Sequence, residues 1–338
     1  MKGSQWLGIS KCVLLTCAIM LGSSCREKHV DSEQALTADV AASRWSGIVF
    51  GIPMQAQFYG LDASEAEQLH AAIERTAREY ETSFSLYSDR SELSQLNASR
   101  VLSQPSALML RLSARAQHLH AMSGGYFDPA IQALWDALDV ADTEQVIQRW
   151  HVPAAYSHVL IQESAIELVE PRVKLSFNAL VQGDFADAVA AIARGMGVES
   201  ALLELGETVA IGQHPEGRAW ALAVRSAEGG ELLGVVELSD RGLAISSQSI
   251  ESPGFDPLAG TTVTRELTVA VESQAGAAVA DAFATAFLAA PEEQWESLYI
   301  ALKSYGMARV HVWGEDGMLA SYVEEELFDR KQLPPCCQ

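Results

Sequence analysis

Positive charge is scarce in this sequence: 23 Lys and Arg stand against 44 Asp and Glu in 338 residues, a formal net charge of -21. Such a chain repels phosphate, which excludes sequence-independent attachment to nucleic acid or to anionic lipid as its main activity. Long apolar runs are missing as well. None reaches the roughly 18 to 20 residues needed to cross a bilayer, so a multi-span membrane protein is excluded. Cysteine is rare and poorly placed for cross-linking. Of five, Cys12, Cys17 and Cys25 lie near the N-terminus, while Cys336 and Cys337 are neighbours at the other end, after Pro334-Pro335. No disulfide framework can staple a core from these positions, and His and Cys nowhere cluster at zinc-binding spacing. What remains is globular material, 49% hydrophobic and 20% charged, enough for one large or two medium domains.

The N-terminus has its own character. Its first 24 residues carry Lys2 and Lys11 and no acid, followed by the apolar stretch Cys12 to Leu21 and then Gly22-Ser23-Ser24 ahead of Cys25. This layout is that of a secretory signal and resembles a bacterial lipoprotein signal, with Cys25 as the lipidated residue. Such signals usually place Leu or Val where Gly22 stands here. The expectation is export, with the mature chain on the periplasmic side of a bacterial membrane and held there only by its N-terminal lipid. Ordinary cleavage and an uncleaved anchor are the alternatives. Signal residues 1–24 would be followed by a polar tether over 25–44, a folded body over 45–325 and a tail over 326–338.

Within the body, Gly47 to Gly60 reads as extended with a turn at Gly51-Ile52-Pro53, and Asp62 is a good N-cap for an amphipathic helix over Ala63 to Glu81. Short and long helices follow at Glu92 to Asn97 and Ser106 to Met122, the second stopped by Gly124-Gly125. Asp184 to Arg194 and Ala275 to Ala290 read as further helices. Ala201 to Leu205, Trp220 to Arg225, Gly234 to Leu238, Ala308 to Trp313 and Met318 to Tyr322 read as strands. Helices and strands alternate irregularly, which points to an α+β fold over a regular parallel wind.

Chemistry has three candidate seats. Asp281 and Thr285 stand one helical turn apart, so a carboxylate and a hydroxyl share a face, a hard-oxygen pair suited to magnesium but also common on solvated helices. The alanines around them make that helix thin. Gly183 is placed at a strand-to-helix junction, where free backbone N–H groups could receive an anion, or where the glycine simply makes a turn. Gly124 to Pro129 is a sharp turn with the aromatic pair Tyr126-Phe127, which would stack on a planar ring or fill the core.

In order along the chain, these segments resemble the FAD:protein FMN transferase family, called ApbE. The parallels are Phe50-Gly51-Ile52 with a Met-Gly-Thr-like turn and Ser85 to Asn97 with Ser-x-Tyr-x3-Ser-x-Leu-x3-Asn. Gly125 to Pro129 matches Gly-x-Phe-Asp-Pro, and Ala179 to Asp187 matches Gly-Ile-Ala-Lys/Gln-Gly-x3-Asp. Ala280 to Thr285 reproduces Ala-Asp-Ala-x-Ala-Thr. The resemblance covers roughly residues 45 to 322. It implies an α+β, T-fold-like architecture of mixed sheets and packed helices enclosing a flavin nucleotide pocket. It also implies Mg²⁺ held by Asp281, Thr285 and the backbone carbonyl of Val181, with Asp281 and Thr285 as the catalytic pair. Phe50, Tyr87, Tyr126, Phe127, Asp128, Asn178, Asp184 and Phe255 would line the nucleotide. The implied activity is transfer of FMN from FAD onto a Thr or Ser hydroxyl of an exported or membrane-associated electron-transfer flavoprotein, releasing AMP.

The departures from the family pattern are specific. A Thr-Ser-Gly turn is matched only by Ile245-Ser246-Ser247, the loop after it is shortened, and Pro253 stands where a histidine precedes Asp256-Pro257. Ala179 and Ala130 replace a usual Gly and Thr. If the missing histidine serves as a general base, its loss lowers turnover by about 10²- to 10⁴-fold. The alternatives are therefore a flavin-binding or partner-docking lipoprotein with impaired turnover, and an FAD pyrophosphatase giving FMN and AMP.

Overall fold

In the computed structural model, residues 42–138, 143–226, 230–249 and 254–323 are described. Cys25, Pro253, Cys336 and Cys337 lie outside them. Alternating burial along Ser43–Val49 (β1) and Ile52–Tyr59 (β2) gives a hairpin whose turn places Phe50 and Gly51 at φ 53° and 79°. Asp62 then starts Ala63–Phe84 (α1) through a reciprocal capping box with Glu65, and Leu69, Ile73, Ala77, Tyr80 and Phe84 form its buried stripe. Glu92–Ser99 (α2), Val101–Ser103 (β3) and Ala107–Met122 (α3) follow, each helix N-capped by a serine, Ser91 and Ser106. Gln132–Leu138 (α4) and Thr143–Trp150 (α5) precede a small sheet in which Ala165–Leu168 (β5) is flanked by β3 and Val159–Gln162 (β4).

The second half supplies most of the main sheet. Its elements are Asn178–Gly195 (α6), Ser200–Leu205 (β6), Glu207–Ile211 (β7), Trp220–Arg225 (β8), Leu232–Leu238 (β9) and Gly242–Gln248 (β10). They continue with Gly254–Asp256 (β11), Thr261–Val263 (β12), Leu267–Ser273 (β13), Ala277–Ala289 (α7), Trp295–Lys303 (α8), Ala308–Gly314 (β14) and Gly317–Tyr322 (β15). Eight strands lie in the order β1-β2-β6-β7-β10-β13-β14-β15. Every ladder among the described residues is antiparallel, so the expectation of mixed sheets is corrected.

Side chains alternate across this sheet, and both of its faces are covered. Leu203, Val269, Val271 and Val310 join the core formed with α1, α3, α6 and α7. Leu202, Leu243, Ala270 and Trp313 point the other way, where the β8–β9 hairpin covers them with Trp220, Leu222 and Val236. The strands under α7 are thus dry on two sides, a firm floor for that helix.

The α6 helix begins earlier than its sequence indicates. Asp184 to Arg194 was the expected span, yet the helix runs from Asn178 with a non-helical kink at Ala179 (φ -86°, ψ 28°). Gly183 therefore lies inside the helix and not at a strand-to-helix turn.

Candidate functional site

The site grows from the packing of α6 on α7. A Cβ on Gly183 would lie 2.6 Å from the backbone of Ala277 and Ala278, so only glycine allows the helices to approach this closely. One turn further along α6, the Asp187 carboxylate accepts hydrogen bonds from Ala277 N–H (2.7 Å) and Ala278 N–H (3.1 Å), capping α7 from a neighbouring helix. Gly276, at φ 108°, leaves no room for a side chain beside that carboxylate. Burial raises the Asp187 pKa to about 6 against the pull of these amides.

This junction fixes Asp281. The residue is only 4% exposed, accepts the Gly183 N–H, and has its Oδ2 atom buried without any hydrogen-bond partner. Burial drives its pKa well above the carboxylate range, with the negative charge of Asp187 adding to the effect and the Gly183 amide opposing it. A second carboxyl group adds to the same local charge. Glu207, half-buried overall, is pushed up by desolvation of its carboxyl end and then by the charge of Asp281, while the Ile245 N–H works against the shift. An orphaned buried carboxylate oxygen costs free energy that a bound cation would recover. Thr285, half-buried, stands one turn along α7 from Asp281, and Val181 lies two residues before the Gly183 amide on α6. Carboxylate, hydroxyl and carbonyl are oxygen donors suited to Mg²⁺. Among the described residues, no three or more His, Cys, Asp and Glu side chains gather into a metal-holding group, so the candidate set is one carboxylate with a hydroxyl and a backbone carbonyl.

The expected nucleotide-lining residues divide into two sets. Asp184 is engaged inside the protein: its carboxylate is 1% exposed and bonded to Arg111 (2.6 and 2.9 Å), Arg115 (2.7 Å) and the Tyr80 hydroxyl (2.5 Å). Burial acts to raise its pKa, but these bonds and the arginine charges outweigh it and hold Asp184 below the usual carboxylate value. Asp128 is likewise engaged inside the protein. It is buried and accepts Ala130 N–H (2.8 Å) and Tyr156 N–H (3.2 Å), so it ties the turn to the following segment. Phe127, 2% exposed, is part of the hydrophobic core.

The other set keeps surface to offer. Tyr87 is 80% exposed, Asn178 is exposed, and Tyr126 is half-buried close to Asp256. Phe50 occupies the β1–β2 turn, its N–H donating to Glu81 Oε1 at 3.0 Å. Phe255 is buried with Leu134 and Val146 beside the turn from Asp256 to Gly260. Gly125 packs against Leu258, so the two turns, distant in sequence, form one wall.

With that geometry in place, comparison with known proteins gives one consistent result. The ApbE family model matches residues 50–307, well over half of the chain. The chain belongs to the ApbE family. A curated relative, the FAD:protein FMN transferase of Chlamydia trachomatis serovar D, is 27% identical over 267 residues, covering 71% of this chain and 82% of that protein. Among solved structures, the flavin transferase ApbE of Vibrio cholerae superposes with a TM-score of 0.69 at 20% identity, over 83% of this chain and 97% of that one. The apo flavinyl transferase ApbE of Pseudomonas stutzeri gives 0.68 at 21% identity, over 84% and 94% of the two chains. At such identities the structural likeness establishes the fold, which is the ApbE fold.

Within this ApbE framework, sequence reasoning missed three residues. Glu207 follows Gly206 in a tight β6–β7 connection and carries no periodic signal. Asp187 stood at the end of a matched motif without an assigned role. His151 lies more than a hundred positions from the Asp256–Gly260 turn, yet its Nε2 donates to the Pro257 carbonyl at 2.9 Å and its ring meets Phe255 edge-on. No local pattern could have linked that pair.

Proposed function

We propose that this protein is a Mg²⁺-dependent FAD:protein FMN transferase. The observation that carries the proposal is the buried, unpartnered Oδ2 of Asp281 on α7, with Thr285 one turn away, in a chain of the ApbE family. Asp281, Thr285 and the Val181 carbonyl would hold the ion. Bound there, Mg²⁺ would offset the charge of the FAD pyrophosphate and of the departing AMP. The protein's own contribution is positional: the Gly183 amide fixes one oxygen of Asp281, and the Asp187 cap fixes the start of the helix that carries it. Tyr87, Tyr126, Asn178, Phe50 and Phe255 are the expected nucleotide contacts.

The reaction balances without a redox partner. The acceptor's Thr or Ser oxygen bonds to the FMN phosphorus, the bridging P–O bond breaks, AMP leaves with the bridging oxygen, and the hydroxyl proton passes to solvent. The acceptor is an exported or membrane-associated flavoprotein, met at the periplasmic face by a protein anchored through lipid on Cys25. A second reading rests on Pro253 standing in the histidine's place: FAD binding with slow or absent turnover, or water taking the place of the hydroxyl. Incubating the protein with FAD, Mg²⁺ and a threonine-bearing acceptor separates these outcomes. Covalent flavin on the acceptor with stoichiometric AMP is the expected result. AMP with free FMN would identify a pyrophosphatase, and bound FAD without products would leave only a binding protein.

A further inference from the structure

The β11–β12 hairpin has little support of its own. Among the described residues these two strands pair only with each other, and a lone two-stranded hairpin is marginal in water. Inside its turn, Asp256 Oδ1 accepts the N–H groups of Leu258 (2.8 Å) and Ala259 (3.0 Å), and the Asp256 carbonyl accepts Gly260 N–H (2.9 Å). These bonds shape the tip without fixing where it stands. Two outside contacts grip it, one from each side.

The first is His151, the residue after α5. Its backbone is held in place: the N–H donates to the Ile147 carbonyl (2.9 Å), and the carbonyl accepts from Arg172 Nη1 (3.2 Å). The ring then reaches the turn. A carbonyl can only accept, so Nε2 carries the proton that bonds the Pro257 oxygen at 2.9 Å. The rest of the ring lies on Gly260, where a Cβ would come within 2.4 Å of Nδ1, and Phe255 meets it edge-on with the ring centres 5.9 Å apart. The space left among Leu134, Trp150, Phe255 and Pro257 is about 10 Å³, room for one water at most. The second contact is Leu258 against Gly125, where a Cβ would lie 2.9 Å from the leucine Cδ2. Tyr126 is the next residue, so a shift of the tip is passed to both Phe255 and the Tyr126 turn.

We propose that His151 is a positioning residue for FAD: by clamping the hairpin tip against the Gly125 turn, it sets where Phe255 and Tyr126 stand as a wall of the nucleotide pocket. The inference rests on the FAD site of the transferase reading above and adds the residue that shapes it. What the wall needs from position 151 is an N–H donor aimed at the Pro257 carbonyl, so an amide side chain should serve in its place.

The test compares His151→Gln, which keeps a donor, with His151→Leu, which fills similar space without one. FAD affinity is measured on the full protein with Mg²⁺ by fluorescence titration, and thermal melts without FAD report on the fold. His151→Leu should raise the Kd for FAD by about tenfold, while His151→Gln stays within about threefold of the parent. The loss should act through the wall, so that beside Tyr126→Ala the further effect of His151→Leu shrinks to about threefold or less. Equal Kd values for the two variants, or an effect undiminished beside Tyr126→Ala, overturns the proposal. A leucine variant that is unfolded at the assay temperature makes His151 a general stabiliser and overturns it as well. Flavin transfer to the threonine-bearing acceptor is assayed with the parent alone. If the parent binds FAD and transfers nothing, the transferase reading fails while the Kd comparison still decides the role of His151. If the parent does not bind FAD, both fail.

Discussion

Two aspartates buried to nearly the same degree have opposite fates in this protein. Asp184 has every lone pair engaged by two arginines and a tyrosine, whereas Asp281 keeps one oxygen with no partner. Asp281→Asn should therefore retain the fold, with a Tm equal to or above the parent in the absence of metal, because a desolvated charge is removed. Mg²⁺-dependent flavin transfer should fall by at least about 100-fold. Thermal melts with and without Mg²⁺, alongside the transfer assay, check both halves. Asp184→Asn should do the reverse: lose about 3 kcal/mol of stability at pH 7, since it strands two arginines. Because Asp184 is held below its ordinary value, its charge stabilises the fold above about pH 4, and that contribution disappears as pH falls further. Urea denaturation of parent and variant should accordingly converge in acid. From the sequence both residues carried the same expectation of touching ligand or metal. Neither composition nor spacing records that Arg111 and Arg115, on α3, meet Asp184 from more than sixty positions away.

At the level of elements, α6 and α7 behave as one piece, joined by the absent side chain of Gly183 and by the Asp187 cap. Gly183→Ala should cost about 1 to 3 kcal/mol through overpacking. It should also weaken Mg²⁺ binding, because the amide that orients Asp281 moves with it. Calorimetric titration of the metal into the FAD-free protein measures this directly. The legible part of the fold was what repeats with a period. The α1 stripe, the α3 boundaries and strands β6, β8, β9, β14 and β15 stand where alternation or capping residues placed them, to within a few residues, while β10, β11 and β12 went unmarked. β13 escaped notice because it is buried at every position from Leu267 to Ser273, so no alternation marks it. The start of α6 was misplaced for a related reason. A glycine serving close helix approach looks, in sequence, like a glycine serving a turn. The Asp281–Thr285 pair was legible because helical spacing alone puts both on one face, but the depth of burial that makes it consequential comes from packing on α6 and on the sheet.

For the whole molecule, the proposed lipid anchor at Cys25 would hold a body of net negative charge at a membrane. Cys25→Ala should shift the expressed protein from the detergent-extracted membrane fraction to the soluble fraction while FAD affinity is kept, which fractionation and fluorescence titration read independently. The layout of the sheet makes that independence expected. β1 is its outermost strand, and β10, beneath α7, lies four strand spacings away, about 19 Å. A molecule grafted to a bead through residues ahead of Ser43 is gripped by its rim, so coupling chemistry applied there should leave catalysis as fast as in free solution.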